Sequence, residues 1–194
     1  EEVQLKTRGE ITQLSLSGRV VGSILKKLRS AVRAGMTTSS LERICEKKIK
    51  SYSHKWDIRK FPDFPTFLSI SVNDTAAHGE PDEYILHTGD IVTLDLVLKV
   101  NGWYGDAAIT VPVGAVTPAH AELIRAAELA TYGGIAKARA GGRIGDIGAE
   151  IQKIARKSGC AVIENLIGHG IGRGLHEGPA VFSNGELDVG APIV

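Results

Sequence analysis

The sequence predicts an α+β fold in which helices cover antiparallel strands. Residues 10–34 carry apolar side chains at spacings of mostly three and four, which is typical of an amphipathic helix. Apolar segments flank Asn101-Gly102, the dipeptide most typical of a two-residue β-hairpin. Arg-Ala-Gly occurs at residues 33–35 and again at 139–141, each time between two predicted helices. We therefore expect two related halves within one domain, at about residues 1–112 and 113–194.

Three further helices are predicted from their capping residues. Ser39 and Glu42 form a capping box for a helix over residues 39–52. Thr117 is the expected N-cap of a helix over residues 117–140. The last helix is expected to begin at its cap, Asp146, and to end near residue 158. The remaining apolar segments predict strands at residues 68–72, 87–100, 103–113 and 160–166.

Composition argues against several classes of function. Lysine and arginine number 23 and aspartate and glutamate 22, so the chain lacks the basic excess of a nucleic-acid binder. This balance is still compatible with a local basic patch. We expect no direct nucleic-acid binding. No segment approaches the length of an apolar membrane span, and the N-terminus is polar. Cys45 and Cys160 indicate free thiols in a reducing compartment, so we expect a cytoplasmic protein.

Two aspartates of the predicted hairpin form a candidate metal site. With Asn101-Gly102 as the turn, facing residue numbers sum to 203, so Asp106 faces Val97. Val97 and Asp95 lie on the same face because strand side chains alternate. Two like charges on diagonal positions repel each other, and a cation between them turns the net electrostatic interaction from unfavourable to favourable. The alternative is a pair of unrelated surface carboxylates.

Three histidines lie beside glycines, which allow a ligand to approach the backbone closely. His169 is enclosed by two glycines, and His176 follows seven residues later. His78 precedes Gly79 in a predicted turn. Imidazole is the commonest protein metal ligand, but a structural histidine or a surface turn histidine explains each position equally simply.

The order of these residues resembles type 1 methionine aminopeptidases. The motifs are N-x-x-x-x-H-G-x-P-D from Asn73 to Asp82, G-D-I-V at 89–92, Asp95, Asp106, and G-H-G-I-G at 168–172 with His176. The resemblance extends from Lys6 to Val194 and implies the pita-bread fold, two pseudo-symmetric α/β halves whose antiparallel sheets are covered by helices. It implies a metalloexopeptidase that removes the N-terminal methionine of nascent polypeptides with a metal-activated water.

The resemblance also implies the roles of individual residues. Asp95, Asp106 and His169 would bind two divalent metal ions, and ligand chemistry leaves Mn, Fe(II), Co and Zn open. His78 and His176 would contact the substrate and act in catalysis. The methionine side chain would lie against three apolar residues, namely Phe61, Phe64 and Leu175. We expect a monomer without membrane contact whose partners are nascent chains, with ribosome association left open.

The chain departs from the family pattern in two ways. Members of the family continue past the position of Val194 into strands that carry two further glutamate ligands, so we expect the second half to be incomplete and the natural protein to be longer. The activity of the 194-residue chain by itself is therefore in question. Near the pocket, Ser69, Ala77 and Val97 stand where the family often has cysteine, cysteine and threonine. Two alternatives follow, a proline-specific aminopeptidase and a non-catalytic peptide- or protein-binding module of the same fold.

Overall fold

The structure is a computed structural model that describes residues 3–187 and 189–194. It contains two compact units, the first formed by residues 5–117 and 171–175, the second by residues 3–4, 118–170 and 176–194. The helices are α1 (Arg8–Ala31), α2 (Thr38–Tyr52), α3 (Pro118–Lys137) and α4 (Ile144–Lys157). The strands are β1 (Ile58–Lys60), β2 (Leu68–Val72), β3 (Ile91–Val100), β4 (Trp103–Pro112), β5 (Gly168–Gly170) and β6 (Glu177–Val181). Within the described ranges, no helix is both long and apolar enough to cross a membrane.

Helix α1 begins at a complete capping box and buries one face. The Thr7 hydroxyl accepts a hydrogen bond from the Glu10 backbone N–H at 3.3 Å, and the Glu10 carboxylate accepts one from the Thr7 backbone N–H at 2.9 Å. Its buried residues follow helical spacing, namely Ser17, Val20, Val21, Ile24, Leu25 and Leu28. The predicted helix over residues 10–34 is confirmed, but it ends at Ala31 because Val32 is extended, with ψ of 125°.

Helix α2 begins at a different cap from the predicted one. Its N-cap is Thr37, and the predicted capping box of Ser39 and Glu42 is wrong. Glu42 turns into the interior, where its carboxylate accepts the backbone N–H groups of Phe67 and Leu68 at 2.8 and 3.1 Å. Burial raises the pKa of Glu42, which is 8% exposed. The carboxylate thus anchors the start of β2 to α2 instead of closing its own helix end.

Strand β3 is the centre of an antiparallel sheet in the first unit. Along one edge it pairs with β4, and along the other it pairs with β2 and, nearer its end, with β1. Asn101 and Gly102 form the predicted hairpin with φ values of 49° and 86°. Leu94, Leu96 and Leu98 are fully buried and belong to the same core as the buried face of α1. Alternation therefore places the odd-numbered side chains of β3 on the opposite face.

The second unit packs α3 closely against α4. A Cβ atom at Gly134 of α3 would lie 2.9 Å from the side chain of Ile151 in α4, so glycine permits this approach. Helix α3 is confirmed but ends three residues before the predicted end of 117–140. Asp146 is not the cap of α4, as predicted, but lies in its first turn. There its carboxylate accepts the backbone N–H of Arg143, the actual N-cap, at 2.8 Å.

The predicted strand at residues 160–166 is wrong. The segment contains a turn, and Ile163 and Leu166 are exposed. Residues with high strand propensity form a strand only when a neighbouring strand is available for pairing. Among the residues that the structure describes, none pairs with this segment. The strands of this unit are instead β5 and β6, which lie in the glycine-rich part of the sequence.

The two Arg-Ala-Gly segments share their local structure. Gly35 and Gly141 have positive φ values of 85° and 89°. The Gly35 N–H donates to the Leu86 carbonyl at 2.8 Å, and the Gly141 N–H donates to the Ile193 carbonyl at 3.0 Å. Each unit therefore contains a helix–glycine–helix segment that is held by the chain following it. The boundary between halves near residue 112 stays a prediction.

Candidate active site

The hairpin of β3 and β4 positions Asp95 and Asp106. Val97 pairs with Asp106 and Asp95 pairs with Ala108, which confirms the register derived from the Asn101-Gly102 turn. Both aspartates therefore lie on the face opposite the leucines of the core. On β2, Ser69 pairs with Asp95 from the other side. The two aspartates thus lie on a sheet whose opposite face is packed into the hydrophobic core.

The surroundings of Asp95 disfavour its ionised form. Burial, and after it the negative charge of Asp106, raise the pKa of Asp95 to about 6, while a positive charge on His78 acts in the opposite direction. A cation beside the two carboxylates would favour their ionised forms. Carboxylate oxygens are suitable ligands for divalent ions, so the pair fits a metal by charge and by ligand type.

The carboxylates do not complete a metal site by themselves. Across residues 3–187 and 189–194, no group of three or more histidine, cysteine, aspartate or glutamate side chains is arranged to hold a metal ion. The first unit therefore supplies a two-carboxylate half-site. It also supplies His78, whose charge favours the ionised form of Asp95.

His78 lies in a turn that is held tightly against β2. The Gly79 carbonyl accepts hydrogen bonds from the Ile70 backbone N–H at 2.7 Å and from the Ser69 hydroxyl at 3.1 Å. The Gly79 N–H donates to the Ser71 hydroxyl at 3.1 Å. A Cβ atom at Gly79 would lie 2.2 Å from the Ile70 carbonyl oxygen, so only glycine fits. His78 is exposed, and this anchoring fixes its backbone rather than leaving it in a free surface turn.

An apolar cluster lies on the same hairpin as the two aspartates. The three residues predicted to line a side-chain pocket, Phe61, Phe64 and Leu175, pack together with Val97 and Tyr104. The Phe61 ring lies 5.2 Å from that of Phe64 and 6.0 Å from that of Tyr104, in edge-to-face arrangements.

A cavity of about 210 Å³ adjoins the cluster, and both Phe64 and His78 line it. Their rings lie 6.0 Å apart. The cavity also contacts Ser69, the β2 partner of Asp95. An apolar wall, a histidine and the strand position next to Asp95 therefore meet at one opening.

In the second unit, His169 and His176 lie together. Their rings are 4.4 Å apart in an edge-to-face arrangement. His169 is on β5, and His176 directly precedes β6. A Cβ atom at Gly170 would lie 2.4 Å from the Gly178 carbonyl oxygen, which explains the glycine after the histidine.

The hydrogen bond of His169 determines which of its nitrogens can bind a metal. Its Nδ1 lies 3.1 Å from the Gly170 carbonyl oxygen, which can only accept. In the neutral ring, Nδ1 therefore carries the proton and Nε2 keeps its lone pair. This hydrogen bond thus favours the tautomer of His169 in which Nε2 can bind a metal ion.

Comparison with known proteins agrees with this chemistry. A model of metallopeptidase family M24 matches residues 12–192. The chain belongs to metallopeptidase family M24. It is 39% identical over 182 residues to a methionine aminopeptidase of Clostridium perfringens and 34% identical over 191 residues to one of Clostridium acetobutylicum. These alignments cover 94% and 98% of the chain and 73% and 76% of the relatives.

Solved structures of relatives establish the fold of this M24 chain. The crystal structure of methionine aminopeptidase from Rickettsia prowazekii superposes with a TM-score of 0.93 at 30% identity, over 100% of the chain and 78% of the relative. The Thermotoga maritima methionine aminopeptidase gives a TM-score of 0.91 at 29% identity, over 98% of the chain and 77% of the relative. The predicted α+β pita-bread fold is confirmed.

Two residues of this M24 chain were not predicted, Tyr104 within the apolar cluster and Lys60 beside it. Tyr104 lies on β4 two residues before Asp106, so alternation alone places both on one face. Lys60 on β1 donates hydrogen bonds from its ammonium to the carbonyl of Phe64 and, at 3.2 Å, to that of Pro65. Sequence spacing does not predict the contacts of Lys60, because they depend on how the loop after β1 folds back.

Proposed function

We propose that the chain removes the N-terminal methionine from nascent polypeptides as a metal-dependent exopeptidase. The observation that carries the proposal is that Asp95 and Asp106 lie on one face of the β3–β4 hairpin, where burial and the charge of Asp106 raise the pKa of Asp95 and a nearby cation would favour its ionised form. Membership of a metallopeptidase family supports the use of a divalent metal, and the most similar relatives described above are methionine aminopeptidases.

Asp95, Asp106 and His169 are the proposed metal ligands of this chain, which we propose to use two ions. When bound, divalent ions supply Lewis acidity and lower the pKa of water toward neutrality. The ligand types admit Mn, Fe(II), Co or Zn. The sheet would hold the two carboxylates in position, and the Nδ1 hydrogen bond of His169 would present its Nε2.

His78 and His176 are proposed to contact the substrate and to act in catalysis, with His176 near the scissile amide. Both are exposed, so both can meet a peptide. A histidine N–H directed at the carbonyl oxygen stabilises the negative charge that develops during attack on the amide. The anchored turn beside β2 keeps His78 in place for this role.

The apolar cluster is the proposed binding surface for the methionine side chain. Phe61, Phe64 and Leu175, together with Val97 and Tyr104, provide aromatic and aliphatic contacts, which suit a flexible and polarisable thioether. We further propose that the protein is a cytoplasmic monomer that acts on nascent chains. The proposal does not require contact with the ribosome.

Peptide hydrolysis with matched variants tests the proposal. The purified protein, supplied with divalent metal, should release methionine from Met-Ala-Ser and leave an Ala-Pro-Ser peptide intact. Asp106→Asn should abolish the release, whereas Asp74→Asn, which changes an exposed carboxylate, should not. Preferential cleavage of the X-Pro peptide would show a proline-specific enzyme, and specific binding of both peptides without hydrolysis would show a binding module. Either result would overturn the proposal.

A further inference from the structure

A loop between β1 and β2 carries two aromatic walls of the proposed methionine pocket, and we call its residues 61–67 the pocket loop. Strand β1 ends at Lys60 opposite Leu98 of β3, and β2 begins opposite Leu96. Only Val97 separates these two partners along β3, so the ends of the loop lie roughly 7 Å apart. The chain therefore leaves the sheet and returns to it two residue positions further along.

The sequence of the pocket loop limits the hydrogen bonds that its own backbone can form. Pro62 and Pro65 have no N–H group to donate. Phe64 closes a turn, since its N–H donates to the Phe61 carbonyl at 3.2 Å. The aromatic rings are thus presented by a backbone with few donors, and side chains outside the loop supply further contacts.

Glu42 of α2 holds the point where the pocket loop joins β2. One of its carboxylate oxygens accepts the Phe67 N–H at 2.8 Å, and the other accepts the Leu68 N–H at 3.1 Å. Leu41 and Cys45, on either side of Glu42 in the same helix, are fully buried. Hydrogen bonds to an ionised group are stronger than those between neutral groups. The end of the loop is therefore fixed to the core face of α2.

Lys60 holds the middle of the pocket loop from the end of β1. Its ammonium donates to the Phe64 carbonyl and, at 3.2 Å, to the Pro65 carbonyl. The backbone of Lys60 pairs with Leu98, so the cation extends from a fixed strand position. Phe64 and Pro65 both line the cavity of about 210 Å³ that also contacts His78. A shift of these two residues would therefore change the shape of that cavity.

The charges of the two residues match the backbone groups that they bind. The negative Glu42 accepts N–H groups, and the positive Lys60 donates to carbonyl groups. Burial and the charge of Glu46 raise the pKa of Glu42, whereas the two backbone hydrogen bonds and the charge of Lys60 lower this pKa. Burying a carboxylate costs more than burying a neutral polar group, and a neutral acceptor could also satisfy N–H groups at the start of a strand. The charged residues therefore indicate a loop that must be held firmly.

We propose that Glu42 and Lys60 hold the pocket loop from two sides and thereby determine how closely the pocket fits a methionine side chain. Both are positioning residues, because they act through the loop and its two phenylalanines. This role rests on the proposed function, which assigns the pocket to methionine. A firmly held pocket should favour the unbranched thioether over the branched side chain of leucine, because a rigid wall does not yield to the branch.

Peptide hydrolysis by Glu42→Gln tests the role of Glu42. Glutamine has nearly the same size but replaces one of the two acceptor oxygens with a donor. KM for Met-Ala-Ser should rise about fivefold with little change in kcat. The ratio of kcat/KM for Met-Ala-Ser to that for Leu-Ala-Ser, measured with both peptides in one mixture, should fall. Simple loss of folded protein would lower the apparent kcat for both peptides and leave KM and the ratio unchanged.

Two further variants complete the test. Glu46→Gln removes the same charge from an exposed position one turn further along α2 and should leave KM and the ratio unchanged. Lys60→Met releases the loop from its other side at a half-buried position and should lower the ratio as Glu42→Gln does. The test therefore does not depend on the folding of the buried variant.

Amide hydrogen exchange, followed by mass spectrometry, measures the hold on the loop without catalysis. Exchange in residues 61–68 should be about tenfold faster in Glu42→Gln than in the unsubstituted protein and unchanged in Glu46→Gln. Unchanged exchange in Glu42→Gln, or faster exchange with unchanged KM and an unchanged peptide ratio, would overturn the proposal while hydrolysis of Met-Ala-Ser stays intact. Hydrolysis of neither peptide by the unsubstituted protein would refute the proposed function and the pocket role with it.

Discussion

The strongest quantitative prediction concerns the stability of the metal-free protein when Asp95 is changed to Asn. The pKa of Asp95 rises from the ordinary 3.8 to about 6 in the folded protein. One pKa unit corresponds to about 1.4 kcal/mol, so the folded state holds the ionised carboxylate about 3 kcal/mol less favourably than the unfolded chain does. Asparagine has nearly the same shape and removes this penalty.

The sign of the pH dependence follows from proton binding. Between about pH 4 and pH 6 the folded state binds the proton of Asp95 more tightly than the unfolded state does. The contribution of this carboxyl group to the free energy of unfolding is therefore fully present below about pH 4 and lost as the pH rises through about 6. Metal-free Asp95→Asn should match the unsubstituted protein near pH 4 and exceed it by up to about 3 kcal/mol at pH 7.

Thermal or urea unfolding in the presence of a chelator measures this difference. At pH 7 the variant should melt about 6–12 °C higher, given the size of the protein. Other carboxyl groups titrate in the same range, among them Glu42, whose pKa is raised by burial. Their contributions cancel in the difference between the two proteins. A difference that stays constant from pH 4 to pH 7, or a variant less stable at pH 7, would refute the reasoning.

Three further predictions address the charge pair, the anchored turn and the apolar pocket. Asp106→Asn should lower the pKa of Asp95 toward its ordinary range, measured by NMR titration of the metal-free protein, and an unchanged value would contradict their coupling. Gly79→Ala should destabilise the protein by about 2–3 kcal/mol in urea unfolding, because its Cβ would meet the Ile70 carbonyl oxygen, and a neutral substitution would disprove that contact. Lys60→Met should raise KM for methionine peptides several-fold with little change in kcat, because the loop that carries Phe64 loses its hydrogen bonds to Lys60. Lys60→Arg keeps a donor at this position and should restore KM. A fall in kcat alone would argue against a positioning role for Lys60.

The central part of the site was predictable because it depends on local geometry. The Asn101-Gly102 turn sets the hairpin register, and the register with strand alternation sets the shared face of Asp95 and Asp106. The family motifs then predict the roles of the surrounding residues. Tyr104 could have been found by the same alternation, since it is two residues from Asp106.

The errors arose where a side chain or a strand finds its partner far away in sequence. The pattern at Ser39 and Glu42 fits a capping box, but Glu42 binds the backbone of Phe67, 25 residues on. Strand β1 was not predicted because the prolines nearby indicate a loop, and it forms because the end of β3 offers it a pairing edge. Residues 160–166 have strand composition without a partner strand among the described residues. Local patterns do not report such long-range partners.

The measurement that tests the central claim most directly is the metal content of the protein. The chelator-treated protein and two variants, Asp106→Asn and Asp74→Asn, are dialysed against a divalent metal, and the metal bound per chain is determined by elemental mass spectrometry. The unsubstituted protein and Asp74→Asn should bind metal stoichiometrically, and Asp106→Asn should lose most of it. Equal metal content in all three proteins, or none in the unsubstituted protein, would contradict the assignment of the aspartate pair as the metal site.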